Sequence, residues 1–337
     1  MFLGVDGGGT KTAFALVDAD GNVRARHEEG SAYYLEVGLE GAAAMLERGC
    51  RALFAAAGVG ADDIAQAFFG LPAYGEDRAV MPALDALPRA ILGHHRYRCG
   101  NDMVCSWAGS LGCADGISII AGTGSMAYGE VAGRQARAGG WGELFSDEGS
   151  AHWIARAGLG LFSRMSDGRV PRGELYELVR QRLSLEEDLD LCGVVYGDLK
   201  RERSGVASLS RLVSEAAALG DRKAVAIIEA AAGELADLVD AVRATLGVAD
   251  DVDVAVSFTG GLVGPDGPLR VSLTKALAGR ARPYRVSPPL FAPVIGAALY
   301  AARNAGTPLD AVALRRLAEF RTGWPDMIGH TMRRHGA

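Results

Sequence analysis

The chain has little cysteine. Only Cys50, Cys99, Cys105, Cys113 and Cys192 occur in its 337 residues, and no two of them stand in the C-x-x-C spacing of zinc or dithiol sites. An odd, unpaired set argues against a disulfide framework and for free thiols in a reducing compartment. Positive charge is not in excess: 35 Lys and Arg against 41 Asp and Glu leave a net charge of −6. The two signs are interspersed, without the basic face or stripe that nucleic acid requires, so nucleic acid is not an expected partner. No charge run marks a membrane surface, and no apolar stretch reaches the roughly 18 residues that span a bilayer. The N-terminus enters Gly4-Val5-Asp6-Gly7 directly, with neither a basic start nor an apolar leader core. The expected location is therefore the cytoplasm.

What is present is more specific. The length suggests about two domains, large enough to bury a core without staples. The most informative stretch runs from Gly116 to Trp153. There the apolar run Ile117-Ser118-Ile119-Ile120-Ala121 reads as a buried strand and ends in Gly122-Thr123-Gly124-Ser125. Glycines just past a strand let backbone N–H groups come close to an anion. GGWGELFSDEGSAHW follows, crowding glycine and polar residues into one span as an active site does. The N-terminus offers a matching turn, since Gly7-Gly8-Gly9 exceeds what a two-residue hairpin needs. Thr10 and Lys11 add a hydroxyl and a cation for phosphate oxygens. A plain hairpin turn is the alternative.

In chain order, strands are expected at Phe2 to Val5, Thr12 to Val17 and, after the turn at Asp20-Gly21, Asn22 to His27. A helix follows over Leu39 to Ala57, then strands at Ile64 to Leu71 and Tyr97 to Asn101 with a helical segment between them. After the second glycine loop the plan recurs: Ile117 to Ala121, Ser125 to Val131, a turn at Ala132-Gly133, and Gln135 to Ala138. Arg222 to Leu246 is a strong amphipathic helix stopped by Gly247. Val252 to Phe258 is a buried strand with Thr259-Gly260-Gly261 behind it, followed by helices at Leu269 to Leu277 and Val294 to Arg303. The last ten or so residues are expected to fray. Two copies of one hairpin-with-glycine-loop plan point to a duplicated α/β protein.

Val5-Asp6-Gly7-Gly8-Gly9-Thr10-Lys11-Thr12, the strand end Asn101-Asp102, Ala121-Gly122-Thr123-Gly124-Ser125, Gly139-Gly140-Trp141-Gly142 with Asp147-Glu148-Gly149-Ser150, and Thr259-Gly260-Gly261 come in order over nearly the whole chain. Together they resemble the N-acetylglucosamine kinases of the BadF/BadG/BcrA/BcrD group, in the sugar kinase, Hsp70 and actin superfamily. The resemblance implies the duplicated actin-like/ribonuclease H-like ATPase fold, with domains over 1–115 and 116–325 and mixed sheets around a nucleotide cleft. It implies ATP and Mg²⁺ as cofactors and a small amino sugar as substrate, and a homodimer is compatible with it. ATP contacts then fall on Gly8, Gly9, Thr10, Lys11 and Thr12 in the first hairpin and on Gly122, Thr123, Gly124 and Ser125 in the second. These close on the β- and γ-phosphates from opposite domains, with Gly260 and Gly261 against the adenosine. Asp6 would hold Mg²⁺ through water, as a hard oxygen ligand; its alternative role is capping the turn.

Asp102 is the candidate general base, because a sugar hydroxyl is a poor nucleophile and a carboxylate in reach takes its proton as the γ-phosphoryl transfers. Its alternative is a cap for the helix Met103 to Leu111, and both roles are compatible. The resemblance puts Trp141, Gly142 and Asp147 on the sugar, with Ala151 on the N-acetyl side. Asp147 has an alternative as N-cap of a helix from Glu148 to Ala157, and Trp141 as a core residue. One departure stands out: where the family carries an Asn that reads the sugar, this chain has Tyr33. The loop Pro72-Ala73-Tyr74-Gly75-Glu76-Asp77 is also longer and more aromatic than the family's short version, bringing a second tyrosine toward the pocket mouth. Other members of the group are dehydratase activators that hold an iron–sulfur cluster, but nothing here resembles a cluster motif. A nucleotide- or sugar-binding regulator on the same fold is the non-enzymatic alternative, and the zinc motif or DNA-binding extension that would favour it does not occur.

Overall fold

In the computed structural model, residues 1–200 and 202–322 are described. They form two compact units: Met1–Asp115 with the chain from Pro288 onward, and Gly116–Ser287. The first unit opens with β1 (Phe2–Asp6), β2 (Thr12–Val17) and β3 (Val23–Glu29), then α1 (Tyr34–Ala57), β4 (Gln66–Leu71), α2 (Met81–Leu92), β5 (Tyr97–Asn101) and α3 (Met103–Leu111). Its sheet runs β3-β2-β1-β4-β5, antiparallel through the β1–β2–β3 meander and parallel from β1 through β4 to β5. Asp18 closes the β2–β3 turn by accepting the Asn22 N–H at 2.8 Å. Leu3, Val5, Phe14 and Leu16 are fully buried with Met45, Leu46 and Leu53 of α1. Alternation on the strands and a 3.6-residue stripe on the helix supply those two faces. Gly38 interrupts α1 with φ 74 and ψ 165, so the turn Tyr34–Val37 stands apart from the long amphipathic portion that begins at Leu39.

The second unit repeats the plan. Its elements are β6 (Gly116–Ala121), β7 (Ser125–Val131), β8 (Arg134–Gly139), α4 (Ala151–Ser166), α5 (Glu174–Arg182), α6 (Asp190–Gly193), α7 (Arg203–Ser208), α8 (Ser210–Ala218), α9 (Arg222–Leu246), β9 (Val254–Thr259), α10 (Arg270–Ala278) and β10 (Tyr284–Val286). The order β10-β9-β6-β7-β8 carries the same antiparallel meander and the same two parallel pairings as the first sheet. Both units are therefore built on one topology. α9 is capped by the Asp221 carboxylate, which accepts the Lys223 and Ala224 N–H groups, and ends at Gly247 in the left-handed conformation.

After Ser287 the chain leaves the second unit. α11 (Pro293–Asn304) and α12 (Ala311–Thr322) belong to the first, so an uninterrupted second domain over 116–325 is not what forms. The reason is close packing. α11 lies against β1, β4 and α3, and a Cβ on Gly4 would overlap the α11 backbone at Ala298 and Val294, while one on Gly296 would overlap α3 at Gly109 and Cys105. Ala298, Ile295 and Leu299 fill the remaining contact with Ala15 and Val17 of β2. The expected fraying of the last ten residues lies outside the described residues.

Candidate active site

In the first unit the chemistry gathers where β1 ends. The Gly7 N–H donates to the Gly70 carbonyl at 2.8 Å, tying the first glycine turn to the end of β4. The Gly8 carbonyl accepts the Ala32 N–H at 3.2 Å and the Ser31 hydroxyl at 3.3 Å, and the Tyr33 N–H donates to Ser31 Oγ at 3.0 Å. Tyr33 is thus fastened beside the glycine turn, with its half-buried ring packed on the core of this unit. Thr12 is fully buried, and among the described residues its hydroxyl finds no partner. Thr10 is exposed, and Lys11 Nζ makes a surface ion pair with Glu28 at 2.9 Å. Such pairs are worth at most about 1 kcal/mol, so Lys11 is cheaply redirected to a stronger anion.

Asp6 closes β1, and burial together with the Asp102 carboxylate raises its pKa to about 8, against the pull of the Cys105 thiol and Lys11. Burial also lifts Asp102, to about 6, with the Met103 and Asp102 backbone N–H groups opposing it and Glu76 adding to it. The capping alternative for Asp102 is settled by its neighbour. Asn101 Oδ1 accepts the Met103 N–H at 3.1 Å, and Asp102 makes no capping hydrogen bond. Asn101 Nδ2 reaches back to the Tyr74 carbonyl at 3.2 Å, and the Tyr74 hydroxyl is committed to Asp85 at 2.8 Å. Of the two tyrosines expected near the pocket, only Tyr33 keeps company with a glycine turn.

In the second unit the glycine loop and the DEGS segment form one stitched piece. The Ala151 N–H donates to the Gly122 carbonyl at 2.8 Å and the His152 N–H to Thr123 at 3.4 Å, while Ser125 Oγ donates to the Glu148 carbonyl at 2.6 Å. Ser150 caps α4 by accepting the Trp153 N–H at 3.1 Å. Asp147 is therefore not the cap. It sits in the left-handed region at φ 60, and its side chain is 2% exposed because the Arg203 guanidinium covers it. Trp141 is 66% exposed with the Arg137 guanidinium 5.4 Å over its ring, so it is no core residue. Gly142 lies in the same loop with φ 99. The third turn follows β9, the parallel neighbour of β6, so it shares a sheet end with Gly122. Gly260 must be glycine there, since φ is 103 and a Cβ would overlap the Ala121 carbonyl oxygen.

The three turns also differ in what asks for glycine. At Gly9, Gly122 and Gly261 an added Cβ would meet no atom within 4 Å, and none of the three has a left-handed φ. Among the described residues nothing crowds a side chain at these positions, a property shared with Gly30 and Gly160, so at the three turns the backbone is open to a ligand. With the unpartnered Thr12 hydroxyl, this fits a nucleotide's phosphate oxygens. Gly124 is different, because a Cβ there would overlap Arg203 and come within 2.8 Å of Asp147 Oδ2. Gly122→Ala should accordingly leave the melting temperature within about 2 °C of wild type, while raising the ATP KM by roughly tenfold, the equivalent of about 1.4 kcal/mol. An unchanged KM would make the loop an ordinary hairpin.

No sequence signal singled out Arg203 or Glu143, and Cys105 stood out only as a free thiol near Asp102. Arg203 carries no local signal, because its partner Asp147 is 56 residues away. Cys105 sits on α3 with its thiol 3.6 Å from the Val5 carbonyl and in contact with Asp6, where only the β1–α3 packing puts it.

Known proteins give the same outline. An N-acetyl-D-glucosamine kinase from Dictyostelium discoideum is 30% identical over 310 residues, 89% of this chain and 97% of that protein. An N-acetylmuramic acid/N-acetylglucosamine kinase from Clostridium acetobutylicum is 34% identical over 170 residues, 48% of this chain and 53% of that protein. Among solved structures, a candidate N-acetylglucosamine kinase from Chromobacterium violaceum matches with a TM-score of 0.69 at 25% identity, over 89% of this chain and 98% of that one. The duplicated sheets are thus those of the actin-like ATPase fold. The sequence profile of one family spans residues 3–301, all three glycine turns included, and the chain belongs to the BadF/BadG/BcrA/BcrD ATPase family.

Proposed function

We propose that the protein is an ATP-dependent kinase of an amino sugar of the N-acetylglucosamine or glucosamine type. The observation that carries this reading is the similarity to an N-acetyl-D-glucosamine kinase over 89% of the chain, and the glycine turns at strand ends, open to a ligand at Gly9, Gly122 and Gly261 among the described residues, support it. Gly8, Gly9 and Thr12 in the first unit and Gly122 to Ser125 in the second are each read as phosphate-binding turns, and Gly260 and Gly261 as taking the nucleoside. Among the described residues no group of three or more His, Cys, Asp or Glu side chains is arranged to hold a metal. Mg²⁺ is usually bound through one or two carboxylates with water and phosphate oxygens, and Asp6, mostly protonated at neutral pH with its pKa of about 8, would supply that carboxylate by losing its proton as the ion binds. When bound, the ion neutralises charge on the phosphate oxygens. Asp102, with a pKa of about 6, is ionised at neutral pH and takes the proton of the sugar hydroxyl as the phosphoryl group transfers.

An ADP-release assay over a panel of amino sugars and plain hexoses tests this. ATP turnover that depends on an added amino sugar is expected, and nucleotide binding with no sugar-dependent turnover would favour a regulator instead. Tyr33 sets a second test. A pocket that hydrogen-bonds a specific amide rejects analogues strongly, whereas an aromatic wall discriminates by about 1–3 kcal/mol per small group. Free glucosamine should therefore be phosphorylated at least as well as N-acetylglucosamine. Tyr33→Asn should shift the ratio of kcat/KM values toward N-acetylglucosamine, and an unmoved ratio would confine Tyr33 to packing on the core.

A further inference from the structure

Arg203 is the first residue of α7, and no expectation drawn from the sequence gave it a role. Its Nη2 donates to Asp147 Oδ2, and its Nε lies 3.2 Å from Glu143 Oε2. The same Nη2 fills the space a side chain at Gly124 would take, so the guanidinium rests on the Gly122–Ser125 loop. The pairing is unequal. Asp147 is 2% exposed and needs a counter-charge, whereas Arg203 keeps 43% of its side chain exposed. Two carboxylates occupy Nε and one hydrogen of Nη2. Among the described residues Nη1 has no hydrogen-bond partner, which leaves the end-on fork of Nη1 and Nη2 available. That fork has the geometry guanidinium uses for paired phosphate oxygens.

We propose that Arg203 is a ligand of the terminal phosphoryl group of the nucleotide at the Gly122–Ser125 loop, held in place by Asp147 and Glu143. This rests on reading that loop as a phosphate cradle. A diphosphate lacks the group Arg203 meets, so Arg203 sets the preference for triphosphate over diphosphate. It also meets the negative charge spread over the phosphoryl oxygens during transfer.

The test is calorimetric titration of the full chain with ADP and with a non-hydrolysable ATP analogue, alongside sugar-dependent ADP release. Arg203→Gln should weaken the ATP analogue at least tenfold, leave ADP within about twofold of wild type, and lower kcat 10- to 100-fold. Arg203→Lys, which keeps the charge but not the fork, should fall between. Because Arg203→Gln strands the buried Asp147 carboxylate, the double variant Arg203→Gln with Asp147→Asn repeats the two titrations without that charge. Equal loss for both nucleotides, no loss for either, or an effect confined to the sugar KM or to the melting temperature overturns the proposal. A wild-type chain that binds neither nucleotide overturns instead the reading of the loop on which it rests.

Discussion

Asp102→Asn is expected to lower kcat by roughly 10²- to 10⁴-fold, or about 3–5 kcal/mol of transition-state stabilisation, while the sugar KM changes only a few-fold. The substitution keeps the size of the side chain and one acceptor oxygen, so a hydroxyl still has somewhere to bind. It removes the only thing an amide cannot do there, which is take a proton. The structure sharpens the expectation in two ways. Asp102 is spared capping duty because Asn101 Oδ1 accepts the Met103 N–H, so the variant does not unpick the start of α3. The Asp102 charge also raises the Asp6 pKa, and its removal eases Asp6 toward the ionised form, so the ATP KM should not worsen. A coupled ADP-release assay with saturating sugar measures the loss. Turnover within about threefold of wild type would place the base elsewhere.

Gly296→Val is expected to destabilise the first unit by about 3 kcal/mol or more, the upper end of what overpacking costs. Here the clash is with the Gly109 and Cys105 backbone of α3, which cannot rotate away as a flexible side chain would. A fall in melting temperature of roughly 6–12 °C, or loss of soluble protein, follows from that magnitude in a unit of this size. Gly160→Ala in α4 is the control, because an added Cβ meets nothing within 4 Å and φ is not left-handed. It should raise stability by about 0.5–1 kcal/mol through helix propensity. If Gly296→Val melts with wild type, α11 does not pack as closely on α3 as its glycines indicate.

The sites divide by how local their determinants are. Thr12–Val17, Ser125–Val131 and Arg222–Leu246 were readable to the residue, because each is an apolar-patterned run closed by a residue with strong end chemistry, and Tyr97–Asn101 likewise, bounded at its end by Asn101. Strand β10, helices α5 and α8, and the last helix α12 were not, because their patterns are short or weak and packing on distant elements stabilises them. The residues expected on the sugar were harder still. Asp147 could be named from its motif, but its burial under Arg203 could not, since the ion pair joins chain positions far apart.

By itself the sequence determined the two-fold repetition of strand, glycine turn and strand, the position of each glycine turn at the end of an apolar strand, and the carboxylates Asp6 and Asp102 at their strand ends. Those features depend on backbone preferences and side-chain periods that act within a few residues. Only the tertiary structure decided that α11 returns to the first unit, that Asn101 and not Asp102 caps α3, that Ser150 and not Asp147 caps α4, and that Arg203 lies over Gly124. Each of these is a competition between several chemically adequate partners. For α11 the winner is set by which backbones can approach closely enough, at Gly4, Gly109 and Gly296, and for Arg203 by the room that Gly124 leaves for its guanidinium; both are properties of the packed chain.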